Sequence, residues 1–560
     1  MNQLALQHIT DSAYCFPVSD NEIVIRLRTA ADDIKDAYII YESKYKIAES
    51  RHKKPMTKIG TGRIYDYYSI RLKLDDTRLA YVFYLNDGEN YYYFSEDGAS
   101  LDYDFSKGYY NFFQYPYINE ADIHYKVEWL CNSCFYQIFI DRFCIGDDNK
   151  DKSYINLKWG DKPTPKSFAG GDIKGIISKL DYIKSIGCDA LYLTPIFRSP
   201  SNHKYDIVDY YDIDEHFGSK EDFKNLVEQL HKRNMRIVLD AVFNHVSEKN
   251  ELFQDVIKKG KDSEYFDYFV IRGDRPCKNP LNYEVFAGCD YMPKWNTSNP
   301  AVQDYLIAIA LYYIQEYDID GWRLDVSDEI SHDFWRKFRK AIKSVKKDAA
   351  IIGENWHDAS VYLRGDQYDS IMNYAFTKAC LDYFAYNKLD ATKTAQKLND
   401  ILMRNTDTVN DMMLNLLDSH DTDRFLNEVK GDKDKLYAAL CLLYLFPGAP
   451  SIFYGTECYT MGGYDPDCRR CMDWETALNK DNKAVLLLSK LSLIRKKCEF
   501  SFEGTLVNAS QDGRVLILKR HGQRADAELY INQTDEVGTY NELQIAPRSF
   551  RLFADGGEIL

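Results

Sequence analysis

The chain has 560 residues, of which 45% are hydrophobic, and a formal net charge of −15 at pH 7. That length exceeds what one hydrophobic core organises, so the sequence predicts several domains. The negative charge repels phosphate backbones and excludes nucleic acid as an expected partner. The longest apolar run, Tyr437–Phe446, is too short to cross a bilayer, and residues 1–10 do not resemble a signal peptide. With thirteen cysteines, we therefore expect a cytoplasmic protein with free thiols and no membrane partner.

The first 125 residues show the alternation of side chains that is typical of β-strands. Apolar residues occupy every second position in residues 23–27 and again in residues 70–74. A period of two with one polar face predicts half-buried strands. Because no helical pattern interrupts this region, the sequence predicts an N-terminal β-sandwich over residues 1–125.

From about residue 130, predicted strands alternate with predicted helices. One helix begins with a capping box formed by Ser219 and Asp222, and Gly187 ends an earlier helix. Eight strands separated by helices are the number found in a (β/α)₈ TIM barrel. The predicted strands are Phe135–Ile140, Ala190–Thr194, Arg236–Val242, Gly321–Val326, Ala349–Gly353, Ile371–Met372, Met413–Leu417 and Ser451–Tyr454.

The fold class is therefore α/β, with the barrel predicted over residues 126–500. The segment from about 246 to 298 is too long for an ordinary loop, so we expect a small inserted subdomain after the third strand. Alternating apolar residues in Val515–Leu518 and Leu529–Ile531 predict a C-terminal β domain over residues 501–560.

Acidic and histidine side chains recur where the predicted barrel strands end. The third strand leads to Asp240 and His245, the fourth to Asp325, the fifth to Glu354, and the seventh to His420 and Asp421. The active site of a TIM barrel lies at this end of the strands. One carboxylate at a strand end is more often a helix cap or an ion-pair partner, but the same chemistry at four strand ends favours a catalytic site.

The sequence separation of two of these carboxyl groups predicts that they lie close enough in space to cleave a glycosidic bond together. Asp325 and Glu354 are one strand–helix unit apart, so they lie at equivalent heights on neighbouring strands. Arg323 faces the same way as Asp325, and we expect its charge to hold that carboxylate ionised. Burial of Glu354 would raise its pKa, which suits an acid. At a separation of about 5 Å, one carboxyl attacks the sugar while the other protonates the leaving oxygen.

The sequence resembles the α-amylase family (glycoside hydrolase family 13), and within it the neopullulanase, cyclomaltodextrinase and maltogenic amylase group. The resemblance covers nearly the whole chain, with an N-terminal sandwich similar to the group's starch-binding-type domain. The matching segments are Gly187–Phe197, Ser199–Asp206, Asp240–His245, Met292–Lys294, Gly321–Asp325, Glu354 and His420–Asp421.

The resemblance implies a role for each candidate residue. Asp325 would be the nucleophile, Glu354 the general acid/base, and Asp421 the third catalytic carboxylate, which binds sugar hydroxyls and favours ring distortion. Glu329 would influence the access of water, although a solvated carboxylate at a helix start is an equal alternative. The substrate-binding candidates are His203, Tyr205, His245, Arg323, Trp356, His420, Asp465 and Arg469.

Related proteins often bind calcium in a loop after the first strand, and this chain departs from that pattern. The retained oxygen ligands would be Asp147, Asp151, Gly171 and Asp172. Ile145 and Lys150 stand where further oxygen donors are expected. Calcium requires six or more oxygens, and an ammonium group would repel it. We therefore expect no required cofactor, with Lys150 in place of the ion and a calcium site as the alternative.

The resemblance implies retaining hydrolysis of α-1,4-glucosidic bonds, with some α-1,6 cleavage, in cyclodextrins, pullulan and maltooligosaccharides. It also implies a homodimer in which the N-terminal domain flanks the partner's cleft. Transglycosylation or glucan isomerisation on the same barrel is an alternative. A non-enzymatic glucan-binding protein is a further alternative, but the retention of all three carboxylates argues against it.

Overall fold

The computed structural model describes residues 1–46 and 49–560. By mutual packing these residues form two compact units. The first combines Met1–Lys126, Tyr386–Asp411 and Phe500–Leu560, and the second combines Val127–Ala385 with Met412–Glu499. Residues 386–411, which the sequence assigned to the barrel, thus belong to the unit that holds both chain ends.

The N-terminal part of the first unit is a sandwich of two antiparallel sheets, as predicted. Its core contains apolar side chains from both sheets, including Ile25 and Leu72 from one and Ile39 and Phe83 from the other. In spatial order the first sheet comprises Cys15–Pro17, Glu22–Ala30, Tyr65–Lys73 and Thr57–Thr61. The second comprises His52–Pro55, Asp36–Ser43, Leu79–Asn86, Tyr91–Ser95 and Gly98–Ser100, with Phe113–Tyr115 also paired to Leu79–Asn86.

The strand Glu22–Ala30 is buried on both faces, whereas its alternation predicted one exposed face. Val24 is 3% exposed and Arg26 only 1%. The Arg26 guanidinium donates to the main-chain oxygen of Asn405 at 2.7 Å and forms an ion pair with Asp407. Both partners lie in residues 386–411, so a distant segment covers the face that the local pattern leaves to solvent.

The C-terminal part of the first unit is β-structure, as predicted. A small core of Val515, Ile517, Tyr530 and Ile545 holds it together. Its antiparallel sheet comprises Phe500–Ala509, Val515–Gly522, Ala527–Asn532, Ser549–Ala554 and Gly557–Glu558, beside a hairpin of Gly538–Tyr540 and Leu543–Ile545. The helix of this unit, Ala391–Leu402, packs on Phe500–Ala509.

The second unit is the predicted TIM barrel. Its eight strands are all parallel, and an isolated bridge between Met372 and Leu414 joins the sixth strand to the seventh and completes the circle. We number them in chain order: β1 Phe135–Ile138, β2 Ala190–Leu193, β3 Arg236–Ala241, β4 Gly321–Leu324, β5 Ala350–Gly353, β6 Ser370–Ile371, β7 Leu414–Leu416 and β8 Ala449–Phe453.

Helices follow the barrel strands, and the predicted capping box of Ser219 and Asp222 begins one of them. Among the described residues, no helix has the length and apolar character that a membrane crossing needs. The helices are Glu128–Asn132, Ile173–Ser178, Leu180–Ser185, Lys220–Lys232, Glu251–Lys259, Pro300–Tyr317, His332–Val345, Tyr374–Cys380, Phe425–Glu428, Lys433–Leu445, Trp474–Ala477 and Lys483–Cys498, with Asp407–Met412 at the boundary between the units.

Strand β4 is shorter than predicted. The pattern extended it to Val326, but the strand ends at Leu324. Val326 has left-handed backbone dihedral angles, with φ 46° and ψ 43°, which cannot continue a strand. Asp325 therefore lies at the start of a turn, directly after the strand.

Candidate active site

The strands β3, β4 and β5 bring charged side chains together at the carboxyl end of the barrel. Asp240 and Arg323 are direct neighbours in the register of β3 and β4, and both are completely buried. Asp325 follows β4 and Glu354 follows β5, as the spacing predicts. Buried charges are tolerated only when they are paired, so the arrangement depends on how these four groups contact one another.

The Arg323 guanidinium contacts all three carboxyl groups. Its Nη1 donates to Asp325 Oδ1 at 2.7 Å and to Asp240 Oδ1 at 2.9 Å. Its Nη2 lies 2.9 Å from Glu354 Oε1. One planar cation thus brings the two predicted catalytic carboxyl groups to the same point.

Both carboxylate oxygens of Glu354 accept further hydrogen bonds. The main-chain N–H of Val326 donates to Oε2 at 2.9 Å, and Trp356 Nε1 donates to Oε1 at 3.2 Å. The Trp356 ring stacks on Tyr374 with centroids 3.7 Å apart, and Trp356 is still 50% exposed. Trp356 therefore presents a firmly supported ring edge and face beside Glu354.

The electrostatics of the pair differ from the expectation that Arg323 holds Asp325 ionised. Burial raises the pKa of Asp325 well above its usual range, although Arg323 acts to lower it and Glu354 adds to the rise. Burial also raises the pKa of Glu354, and Arg323 again opposes the change. Since buried carboxyl groups on one guanidinium disfavour full ionisation, the pair retains a proton more readily than isolated groups would.

The third predicted carboxylate, Asp421, is held by basic groups that the other two do not contact. His420 Nε2 lies 2.9 Å from Asp421 Oδ2, and Arg469 Nη2 donates to Oδ1 at 3.0 Å. Although burial acts to raise it, contacts with His420 and the charge of Arg469 lower the pKa of Asp421 below its usual range. The other amine of Arg469, Nη1, lies 2.8 Å from Asp465 Oδ1. Asp421 is therefore an anion at neutral pH.

His420 connects this carboxylate to the group around Arg323. Its Nδ1 lies 2.6 Å from Gln137 Nε2 on β1, and its Nε2 lies 2.5 Å from the hydroxyl of Tyr205. That hydroxyl donates to Asp240 Oδ2 at 2.9 Å, and the rings of Tyr205 and His420 are parallel with centroids 5.6 Å apart. Gln137 had no signal in the sequence, because a buried amide on a strand carries no motif.

The two remaining predicted histidines are uncharged at neutral pH. Burial lowers the pKa of His245 to about 3, and the ring stacks on Phe286 with centroids 4.5 Å apart. Loss of hydration lowers the pKa of His203 to about 4, and its Nδ1 accepts a hydrogen bond from the main-chain N–H of Tyr205. A neutral imidazole both donates and accepts, which suits recognition of sugar hydroxyls.

Two lysines hold segments near the site in place, and the sequence did not predict these roles. Lys204, between His203 and Tyr205, is buried in an ion pair with Asp214 at 2.8 Å and holds that loop. Lys294 contacts Asn244 and pairs with Glu329 at 2.8 Å, which ties the inserted subdomain to the turn after β4. Lys294 lies in a matching segment, but only tertiary structure shows its partners.

In the loop after β1, Lys150 contacts Asp172, one of the four residues expected to bind calcium. Its Nζ lies 2.9 Å from Asp172 Oδ2 and donates to the main-chain oxygens of Gly170 and His216. Asp147 is turned to Lys174 at 2.6 Å. Asp151 accepts from the main-chain N–H and hydroxyl of Ser153, and Gly171 donates to the main-chain oxygen of Asp141. Within residues 1–46 and 49–560, no three His, Cys, Asp or Glu side chains are grouped so that they could hold a metal ion.

A barrel in which one guanidinium holds Asp325 and Glu354 together, near the firmly anionic Asp421, has the groups that cleave a glycosidic bond. Neutral histidines and stacked aromatic rings at the same end suit a polyhydroxylated ring rather than a charged or apolar ligand. The fold and the site thus define a glycoside hydrolase.

Comparison with known proteins identifies the family of glycoside hydrolases to which the chain belongs. The protein-family model for the alpha amylase catalytic domain matches residues 137–487, and the family model for the alpha amylase N-terminal ig-like domain matches residues 1–119. The chain belongs to the α-amylase family, within the group of cyclomaltodextrinases, maltogenic amylases and neopullulanases, and is an α-glucan hydrolase.

The similarity extends over almost the full length of several relatives. The chain is 43% identical to a cyclomaltodextrinase of Thermoanaerobacter pseudethanolicus over 547 residues, which are 96% of this chain and 94% of the relative. It is 41% identical to an intracellular maltogenic amylase of Bacillus subtilis over 504 residues, 89% of this chain and 85% of the relative. A solved cyclomaltodextrinase structure matches with a TM-score of 0.90 and 36% identity, over 96% of this chain and 93% of the other.

Proposed function

We propose that the protein hydrolyses α-1,4-glucosidic bonds, and some α-1,6 bonds, in cyclodextrins, pullulan and maltooligosaccharides with retention of configuration. Asp325 attacks the anomeric carbon and Glu354 protonates the leaving oxygen. The observation that carries this proposal is the Arg323 guanidinium, which contacts both carboxyl groups within 2.9 Å. Carboxyl groups about 5 Å apart support a covalent intermediate, whereas inversion needs room for a water between them.

The contacts of the two carboxyl groups support this division of roles. Asp325 receives an aligned hydrogen bond from Arg323 Nη1, which favours its ionised form. The contact of Glu354 with Arg323 is an ion pair without an aligned hydrogen bond, so Arg323 favours the ionised form of Asp325 more than that of Glu354. In the second half of the reaction, Glu354 would take a proton from the water that attacks the glycosyl ester.

The surrounding residues support binding of the cleaved sugar. Asp421, as an anion, would accept hydrogen bonds from two sugar hydroxyls, assisted by His420 and His245. Tyr205 would stack under the ring beside His203, while Asp465 and Arg469 contact the non-reducing end. Trp356, on the side of Glu354, would face the leaving group, because its ring is exposed where Glu354 must deliver its proton.

We also propose that the protein acts in the cytoplasm as a homodimer whose N-terminal domain narrows the partner's cleft. The intracellular maltogenic amylase among its relatives and the thirteen cysteines without disulfides support the location. We further propose that residues 1–125, 126–500 and 501–560 are the domains along the chain, with residues 386–411 of the second belonging by packing to the unit that holds the other two. Sedimentation across a concentration range tests the dimer: a monomer at all micromolar concentrations would contradict it.

The narrow cleft predicts a preference for small and cyclic substrates. We expect kcat/KM on β-cyclodextrin to exceed that on soluble starch at least about tenfold at equal concentrations of glucose units, a difference of about 1.4 kcal/mol in transition-state binding. Parallel assays on β-cyclodextrin, pullulan and starch measure it. Starch as the fastest substrate would contradict the proposal, and products dominated by transferred oligosaccharides would favour the transglycosylase alternative.

We further propose that Lys150 replaces calcium, so that activity and stability need no metal. We expect Lys150→Met to lower the free energy of unfolding by about 2–4 kcal/mol, because the buried Asp172 carboxylate loses its cationic partner and keeps only main-chain N–H donors. Lys174→Met is the matched control: its ion pair with Asp147 is exposed, so the loss stays below about 1 kcal/mol. Urea unfolding measures both, and a loss of wild-type stability in EDTA that calcium restores would refute the replacement.

A further inference from the structure

The turn directly after Asp325 is strained. Val326 has φ 46° and ψ 43°, the left-handed region in which a β-branched residue is a genuine outlier. Such a conformation persists only where the surroundings enforce it, and it is concentrated at functional sites. Neighbouring residues must therefore hold Val326 in this conformation.

Ser327 is the residue that holds the turn. It is fully buried, and its main-chain oxygen accepts hydrogen bonds from Trp335 Nε1 at 2.9 Å and from the Tyr368 hydroxyl at 3.1 Å. Its own hydroxyl donates to the main-chain oxygen of Glu354 at 2.6 Å. All three contacts are made by groups withdrawn from water, so they fix the position of Ser327 firmly.

The turn reaches Glu354 with two successive residues. The N–H of Val326 donates to the carboxylate at 2.9 Å, and the hydroxyl of Ser327 donates to the main-chain oxygen of the same residue. Left-handed geometry at Val326 reverses the chain so that both groups point at β5. Gly353 permits this approach, because a Cβ there would lie 3.1 Å from Ser327 Oγ and 2.6 Å from the Tyr368 ring.

We propose that Ser327 is a positioning residue which, through the strained turn at Val326, sets the separation between Asp325 and Glu354. The proposal rests on the proposed function of these two carboxyl groups. Asp325 immediately precedes the turn, while Glu354 is tied to it at both its main chain and its carboxylate. The turn thus fixes the distance on which a retaining reaction depends.

Ser327→Ala tests this directly, because it removes one hydroxyl from a side chain that is fully buried. We expect kcat on β-cyclodextrin to fall about tenfold with KM within about twofold, since small misplacement of reacting groups slows chemistry. The hydrogen bond from Val326 acts to lower the pKa of Glu354. A loosened turn weakens that bond, so the basic limb of the kcat/KM profile should move to higher pH. Ser327→Thr, which keeps the hydroxyl, should restore both.

A second pair of variants separates positioning from general stability. Tyr368→Phe removes one anchor of Ser327, and Tyr68→Phe removes a buried hydroxyl that donates to the Ile34 main-chain oxygen at 2.9 Å in the N-terminal sandwich. We expect similar losses of thermal stability from both. Only Tyr368→Phe should lower kcat and move the basic limb.

The proposal is overturned if Ser327→Ala keeps the wild-type kcat and pH profile, or if Tyr68→Phe changes them as Tyr368→Phe does. A wild-type chain without turnover on any α-glucan would instead refute the proposed function. In that case titration of ¹³C-labelled glutamate carboxyls, with the Glu354 signal assigned by its loss in Glu354→Gln, still decides the matter. A Glu354 pKa that is the same in wild type and Ser327→Ala would overturn the role of Ser327.

Discussion

Replacement of Asp325 by Asn should lower kcat on β-cyclodextrin by about 10⁴-fold or more, which is the range found when a covalent nucleophile is removed. Asn has nearly the same shape but cannot form the glycosyl ester. The substitution removes one of the carboxyl groups on Arg323, while Asp240 and Glu354 remain to pair with it. The protein should therefore stay folded, with a Tm close to that of the wild type.

Asp328→Asn is the matched control for this variant. Asp328 lies three residues further along the same turn, where its carboxylate faces His357 at 3.3 Å rather than Arg323. We expect its kcat to stay within about twofold of wild type, as for a surface pair of small energy. Mass spectrometry must first show that the new amide in Asp325→Asn has not deamidated back to aspartate. Wild-type turnover by the intact variant would then show that Asp325 is not the nucleophile.

Replacement of Glu354 by Gln has the second largest expected effect, and it depends on the leaving group. On β-cyclodextrin kcat should fall about 10³-fold, within the range that general acid catalysis contributes. On α-maltosyl fluoride the first step should lose less than about tenfold, because fluoride departs without protonation. Pre-steady-state assays on both substrates measure the contrast. An equal loss on both would show that Glu354 is not the acid.

The pH dependence of the wild type tests the same assignment. Burial raises the pKa of Glu354, so the acid stays protonated to a higher pH than an exposed glutamate would. Activity should fall as pH rises through that pKa, and this basic limb should be absent in Glu354→Gln. A basic limb that survives the substitution would belong to another group.

The barrel could be predicted from sequence because its strands are short, continuously buried and separated by amphipathic helices. Ala190–Leu193 and Arg236–Ala241, for example, are recognisable without tertiary context. The errors occurred where distant segments decide the local structure. Arg26 is buried because residues 405–407 cover it, and β4 ends early because contacts with Ser327 enforce the turn at Val326. The hydrophobic periodicity of the sequence predicts neither the burial of Arg26 nor the early end of β4.

The charged site residues were predictable in part for a different reason. Carboxylates and histidines occur at the ends of several strands, and the strand ends of a barrel lie close together in space. Asp325 and Glu354 therefore contact the same guanidinium. The groups that position them act through main-chain atoms and buried hydroxyls. Serine, tyrosine and lysine occur in most sequences without a special role. Only the contacts of Ser327, Tyr368 and Lys204 therefore reveal what these residues do here.

The proposed mechanism requires a covalent glycosyl ester on Asp325. Incubation with 5-fluoro-α-D-glucosyl fluoride slows the breakdown of such an ester more than its formation, so peptide mass spectrometry can locate it. We expect a single label on the peptide that contains Asp325, with first-formed products of α configuration by NMR. A label on another carboxylate, or products first released as the β anomer, would contradict it.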